Sequence, residues 1–368
     1  MGRLTVVQLL PALEAGGVER STLEIAEALV RAGHRAIVVS AGGRLLPRLL
    51  ARGAEHVELA VGRKSPLAFR NLPALRRAFA GADIVHARSR MPAWLAWRAL
   101  RGMHGTRPAF VTTVHGLNSP SGYSAVMTRG ERVVCVSETV RAHLLAHYPD
   151  LEPARLRVIP RGIDPAAFPR RPHLDRSMRE ALAQAHPQLT GDGPLLLLPG
   201  RGTRRKGHAD ALRLLAQLRA GGTDARLWMP GVVEASRGRY LEELRGDARA
   251  LGIAGAVAMT EPTDAMASAY AASDLVLQLS RKPEAFGRTV VEALAVGVPV
   301  LGWAQGAAGE LLAQLQPEGA VAPFDEDALA ARALGLLAAP PAPPATMPYT
   351  LQAMQDATLG LYRSLVAA

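Results

Sequence analysis

Arg281-Lys282-Pro283-Glu284-Ala285-Phe286-Gly287-Arg288-Thr289-Val290-Val291-Glu292-Ala293-Leu294-Ala295-Val296-Gly297-Val298-Pro299-Val300-Leu301-Gly302 is the stretch from which the rest of the chain is read. Its first residues mix charge, Pro and Gly, which suits a loop. From about Arg288 the pattern becomes helical, and after the Gly297-Val298-Pro299 turn it becomes a short apolar strand. Glu284 falls in the loop, and Glu292, eight residues on, falls inside the helix's first turns. Backbone N–H groups and the dipole at a helix start favour an anion, so Phe286-Gly287-Arg288 forms a phosphate cradle. Gly287 lets a ligand approach the backbone closely. Two carboxylates beside such a cradle suit a ligand with hydroxyls next to phosphates, and a nucleotide sugar fits that description. On spacing alone the same residues would be an amphipathic helix with a solvated Glu at each end. The attached loop, turn and strand favour the site.

Glu284 and Glu292, with Gly287 between them and Gly297-Val298-Pro299-Val300 behind, resemble the E-x7-E signature of the family 4 retaining glycosyltransferases. That resemblance implies the GT-B fold: α/β, with two Rossmann-like doubly wound parallel-sheet domains facing a central cleft. It also implies that Glu284 holds hydroxyls of the donor sugar and Glu292 the nucleotide ribose. Upstream, Leu195–Leu198 reads as a strand running into Pro-Gly-Arg-Gly-Thr-Arg-Arg-Lys-Gly-His, residues 199–208. This resembles the family's G-R-x-x-x-x-K-G segment, which places Arg201 and Lys206 on the donor diphosphate. A departing nucleoside diphosphate gains charge, and fixed cations stabilise it without a metal ion. Arg204 and Arg205 are read as solvated basic residues.

Composition limits the alternatives. The chain has 368 residues, enough for two ordinary domains, with 49% hydrophobic and 20% charged residues, as in a globular protein. No apolar run is long enough to cross a bilayer, and the apolar N-terminal stretch is too short for a signal peptide. The single Cys135 sits in an apolar run, which suits a buried thiol in a reducing compartment. A cytoplasmic location is therefore expected. The net charge is +11, and residues 1–170 carry 24 Lys and Arg against 12 Asp and Glu, whereas residues 171–368 carry 19 against 20. The positive excess thus belongs to the N-terminal half, where it can meet an acidic acceptor or anionic lipid at the inner face of the cytoplasmic membrane. Specific nucleic-acid binding is not expected, because the aromatics there form no stacking platform.

Taken from the N-terminus, Arg3–Leu10 reads as a strand, Gly16-Gly17-Val18-Glu19 as a turn and Glu19–Ala32 as a helix. Strand, glycine turn and helix can put Gly16 and Gly17 N–H groups against phosphate, and the turn resembles the family's G-G-x-E. Strands near Ala36–Ser40, Glu55–Leu59, Asp83–His86, Ala109–Val114, Arg132–Val136 and Leu156–Pro160 alternate with helices, as parallel βαβ units do. His115 ends one of these strands, and the resemblance implies that it contacts the donor sugar from across the cleft. Ile159–Asp164 resembles the family's I-P-N-G-I-D, with Arg161 in place of Asn and no role assigned to it. Further strands are expected at Ala225–Met229, Ala256–Met259 and Asp274–Leu279, and a long helix from Ser236 to Leu251. Thr260-Glu261-Pro262 departs from the family's Gly near the nucleobase, which leaves the base open. Asp325-Glu326-Asp327 matches a D-x-D metal motif, but as a helix start it reads as a cap. Arg88–Arg101, with Trp94 and Trp97, reads as a crossover helix packed on its sheet or as a basic helix lying on lipid.

The expected domains are an acceptor-side Rossmann-like domain over 1–165, a connection over 166–194, a nucleotide-sugar domain over 195–340, and a terminal helix over 349–368 that crosses back. The expected reaction is retaining transfer of a sugar from a nucleotide-sugar co-substrate, a UDP-sugar first, to a glycolipid or saccharide acceptor. Lipopolysaccharide or surface-polysaccharide synthesis is its expected setting, with no metal and no other cofactor. His115, Arg201, Lys206 and Glu284 are the expected catalytic residues. Gly16, Gly17, Arg201, Lys206, Glu284, Phe286, Gly287, Arg288 and Glu292 are expected to bind the donor. A nucleotide-sugar 2-epimerase of the same fold, or a non-catalytic nucleotide-sugar-binding subunit, is the alternative.

Overall fold

Short apolar runs bounded by Gly and Pro make strands that are covered on both faces, and parallel strands need such cover. In the computed structural model, which describes residues 2–14, 16–171, 174–234 and 238–367, these runs form two parallel sheets. The first contains β1 (Thr5–Leu9), β2 (Arg35–Ser40), β3 (Glu55–Glu58), β4 (Ile84–Ala87), β5 (Ala109–Val114), β6 (Arg132–Cys135) and β7 (Leu156–Val158). The second contains β8 (Leu195–Leu197), β9 (Arg226–Pro230), β10 (Val257–Thr260), β11 (Leu275–Gln278), β12 (Val300–Trp303) and β13 (Ala320–Val321).

Strand order is β3-β2-β1-β4-β5-β6-β7 in the first sheet and β10-β9-β8-β11-β12-β13 in the second. Each order starts mid-sheet and reverses once, between β1 and β4 and between β8 and β11. Ligands of doubly wound sheets bind outside the carboxyl ends of the strands at that reversal. The segments after β1 and β4, and after β8 and β11, are therefore where the fold leaves room for a site.

The backbone divides into one unit of Met1–Gly162 with Leu351–Ala368 and another of Ile163–Thr350. In the first, Val6, Leu29, Val38 and Ile84 share a core with Met354, Leu359 and Tyr362 of the terminal helix Leu351–Val366. Polar contacts fix that helix as well: Gln355 Nε2 donates to the Glu24 carbonyl (2.8 Å), and Tyr362 Oη bonds His86 Nδ1 (2.6 Å). In the second unit, Leu196, Leu212, Leu227, Leu275 and Trp303 lie in one core.

Several elements differ at their edges from the sequence reading. The helix after the glycine turn spans Gly17–Arg31, and the short helix that the sequence suggests near Ser177–Ala185 spans Arg176–Ala185, capped by the Asp175 carboxylate on Met178 N (3.1 Å). The expected helix start at Ser236 lies outside the described residues, and the described helix is Gly238–Ala250. Strand β13 has two residues, too few to show a period. Asp325 accepts from Ala328 N (2.9 Å), the contact of a helix cap. On the helix Arg90–Arg101, Trp94 and Trp97 are half-buried and meet edge-to-face at 5.5 Å. Arg129 sits 4.3 Å over the Trp97 ring, and Trp94 Nε1 donates to the Tyr123 carbonyl (3.0 Å). No helix among the described residues is long and apolar enough to cross a membrane.

His86 is fully buried and bonded on both ring nitrogens, by Tyr362 Oη and Thr113 Oγ1 (2.6 Å each). Tyr362→Phe strands one of them, and an unsatisfied buried group costs roughly 1–3 kcal/mol. Urea unfolding should show a loss of that size, and an unchanged midpoint would show that the terminal helix does not depend on this bond.

Candidate active site

In the second unit both segments at the strand-order reversal carry charge. After β8 the chain passes Gly200, Arg201 and Gly202, makes a short 3-10 turn over Arg204–Lys206 and enters the helix His208–Ala220. Gly207 permits that entry. Its φ is +76°, and a side-chain carbon there would meet the Leu279 carbonyl oxygen at 2.0 Å. The turn thus packs directly on the end of β11. After β11 the chain passes Ser280 and Glu284 before Gly287, in left-handed conformation, starts the helix Arg288–Val296.

The two segments meet in an ion pair. Lys206 Nζ lies 2.6 Å from Glu284 Oε1, which also accepts from Ser280 Oγ (2.5 Å). Both side chains are about a quarter exposed. Burial pushes the Glu284 carboxyl up, but the Lys206 charge and hydrogen bonds from Lys206, Ser280 and Gln278 outweigh it, and its pKa lies below the ordinary value. Glu284 is therefore ionised at neutral pH. Its backbone is clamped too: its carbonyl accepts from Ala307 N (3.0 Å), and a side-chain carbon on Gly306 would meet Glu284 N at 2.8 Å. A second link runs beside the first. Arg281 donates from its backbone to the Arg205 carbonyl (2.8 Å), and its guanidinium pairs with buried Asp210 at 2.5 Å.

Glu292 is 8% exposed and held on both oxygens, by Arg288 Nε (2.9 Å) and by the Tyr270 hydroxyl (2.9 Å). Burial first, and then Glu292, pushes the Tyr270 hydroxyl well above its ordinary pKa, so it stays a donor. A carboxylate oxygen has lone pairs for more than one donor, so Glu292 can still accept from a ligand hydroxyl. The Phe286 side chain is buried and meets Tyr349 edge-to-face at 5.9 Å. Arg201 is exposed and makes no salt bridge among the described residues. Lys206, Glu284, Arg288 and Glu292 thus stand on segments that the fold brings together, and Arg201 rises from the same loop as Lys206.

In the first unit Gly16 and Gly17 start the helix after β1, and His115 follows β5. They are linked by a residue with no role from sequence: Arg161 Nη1 donates to the Gly17 carbonyl (2.6 Å) and Nη2 to His115 Nδ1 (2.9 Å). Burial, then Arg161, Arg88 and His86, holds the His115 pKa well below its ordinary value. Sequence reasoning also missed Tyr270, Ser280 and Asp210. Asp210 had a signal, since an acid in the first turn of a helix beside a basic loop invites pairing. Tyr270 and Ser280 had none.

Two family descriptions match the chain in tandem: Glycosyltransferase Family 4 over residues 15–167 and Glycosyl transferases group 1 over residues 181–347. The chain belongs to the family 4 glycosyltransferases and has their GT-B fold. A glycosyltransferase structure from Rickettsia africae is similar at TM-score 0.87 and 26% identity, covering 100% of this chain and 99% of that one. HepE of Anabaena, solved with UDP and glucose, shares the fold at TM-score 0.79 and 19% identity over 98% of this chain and 100% of that one. A D-inositol 3-phosphate glycosyltransferase of Acidothermus cellulolyticus is 32% identical over 49% of this chain and 40% of its own length. The chain spans about half the length of the curated relatives it matches.

His208 lies under the Lys206 turn, wholly buried, with its ring beside the backbone of Thr203 and Gly200. Burial is the main reason its pKa falls from 6.5 to about 4. The unfolded chain therefore takes up this proton first, so stability is lost as pH falls from about 6.5 towards 4. Melting temperature should drop from pH 7 to pH 5 in the native protein and drop less in His208→Leu, which keeps the volume. Equal slopes in the two proteins would mean that His208 is not held neutral.

Proposed function

We propose that the protein is a retaining glycosyltransferase that moves a sugar from a nucleoside-diphosphate donor, a UDP-sugar first, to a phosphorylated glycolipid or saccharide acceptor. The observation that carries this reading is the Lys206–Glu284 pair at the β8/β11 reversal, with Glu292 one helix further on. A sugar diphosphate needs acceptors for its hydroxyls and donors for its phosphates, and these two segments supply both within a few residues.

In this reading Lys206 and Arg201 stabilise the charge that grows on the leaving diphosphate, helped by backbone N–H groups at Phe286, Gly287 and Arg288. The two cations take the place that a metal ion holds in other sugar transferases. Glu284 accepts hydroxyls of the sugar and Glu292 those of the ribose, while His115 meets the sugar as a hydrogen-bonding group. The bond from the anomeric carbon to the leaving phosphate oxygen breaks as the acceptor oxygen bonds on the same face. The acceptor's proton passes to that phosphate oxygen, so no carboxylate acts as nucleophile and the anomeric configuration is retained.

The positive excess of residues 1–170 supports an anionic acceptor, and the Acidothermus relative is a D-inositol 3-phosphate glycosyltransferase. Lipopolysaccharide or other surface polysaccharide is the proposed setting, with peripheral contact at an anionic membrane face where the acceptor is a lipid.

Thermal-shift measurements with UDP, GDP, ADP and their sugars test the donor. The matching nucleotide at a hundredfold excess over its Kd should stabilise the protein by about 2.7 kcal/mol. Lys206→Ala and Glu292→Ala should lose the shift, and Lys206→Ala should also lower kcat by roughly a hundredfold. A full shift in both variants would place the donor elsewhere. Donor binding without transfer or hydrolysis would favour a binding subunit, and isomerised sugar without acceptor would favour an epimerase.

A further inference from the structure

Three buried nitrogen groups of the first unit lie close together: the guanidinium of Arg88, which donates to Gln8 Oε1 (2.8 Å), that of Arg161, and the second ring nitrogen of His115. Arg161 stands where the resembled family turn carries Asn. Its guanidinium has donors only and does not deprotonate. It lies 2.9 Å from His115 Nδ1 and so must donate to it, which leaves Nδ1 as a lone pair. A neutral imidazole carries one ring proton, and that proton then sits on Nε2.

His115 Nε2 is buried without a hydrogen-bond partner, and so is Nη2 of Arg88. Both residues line one cavity of about 20 Å³, with Ser21, Thr113 and Thr358 among its other walls. That is room for about one oxygen atom with its hydrogens. The charged and titratable groups around the ring are Arg161 after β7, with Arg88 and His86 at the end of β4 and Tyr362 behind His86. No carboxylate lines the cavity.

We propose that Arg161 is a positioning residue that locks His115 as the Nε2–H tautomer, making the histidine a fixed neutral hydrogen-bond donor to a substrate hydroxyl oxygen. The tautomer follows from the Arg161 contact alone. The substrate role rests on the glycosyltransferase reading. In that role His115 takes no proton from the acceptor, because its only lone pair is occupied by Arg161.

Long-range proton–nitrogen NMR of the labelled protein reads the tautomer directly, with His115 assigned through His115→Gln. Nε2 should appear protonated and Nδ1 unprotonated at neutral pH, with any titration displaced well below that of an ordinary imidazole. Arg161→Asn should mix the tautomers and let the ring titrate nearer its ordinary value. An Nδ1–H ring in the native protein, or an unchanged spectrum in Arg161→Asn, overturns the proposal. In transfer assays Arg161→Asn should lower kcat/KM about tenfold, but only about twofold on a His115→Gln background, where the amide keeps a donor near Nε2. Equal losses on both backgrounds also overturn it. Absence of transfer by the native protein with any donor would count against the enzymatic reading, while the spectra would still decide the tautomer.

Discussion

The candidate site of the second unit is organised around one contact, the 2.6 Å pair between Lys206 and Glu284. An exposed ion pair of this kind would contribute little. This one is three-quarters buried, shares its acceptor oxygen with Ser280 and stands on a backbone clamped by the start of the helix Gly306–Leu315. Without Lys206, burial would drive the Glu284 carboxyl towards its neutral form, and without Glu284 the lysine would lose its partner at the β8/β11 reversal. The pair therefore fixes two things together: the position of the cation and the charge of the acid. A ligand with phosphates at one end and hydroxyls at the other could engage both.

The two units repeat one topology with opposite chemistry. In the second, the reversal is lined by acids and cations in close pairs, as the balanced charge of residues 171–368 leads one to expect. In the first, Arg88 after β4, with His115 after β5 and Arg161 after β7, surrounds a small cavity that no carboxylate lines. A common scaffold thus carries paired charges in one unit and cations without carboxylates in the other. The difference rests on a few side chains at strand ends and on no change of fold.

Much of this was legible in sequence. Parallel strands buried on both faces read as apolar runs, so the alternation and the fold class follow directly from the pattern. The Arg288–Glu292 contact has the spacing of four that brings side chains together on a helix, but the sequence reading gave the two residues separate roles. Lys206 and Glu284 could be singled out, but their pairing could not, because the partners lie 78 residues apart and meet only through the strand order. Tyr270 reaches Glu292 from 22 residues upstream, in an apolar stretch that reads as plain core. Arg161 was visible as a departure from a familiar turn. Its partners, 46 and 144 residues away, required the folded chain.

Calorimetric titration of Glu284→Gln with a nucleoside diphosphate and with the matching nucleotide sugar tests the central claim most directly. Glutamine can still accept from Lys206 and Ser280, so the turn should hold. The account predicts diphosphate affinity close to that of the native protein, with loss of the extra affinity that the sugar confers. If both ligands weakened equally, or neither weakened, Glu284 would not be the group that meets the sugar, and the site would have to be sought elsewhere in the fold.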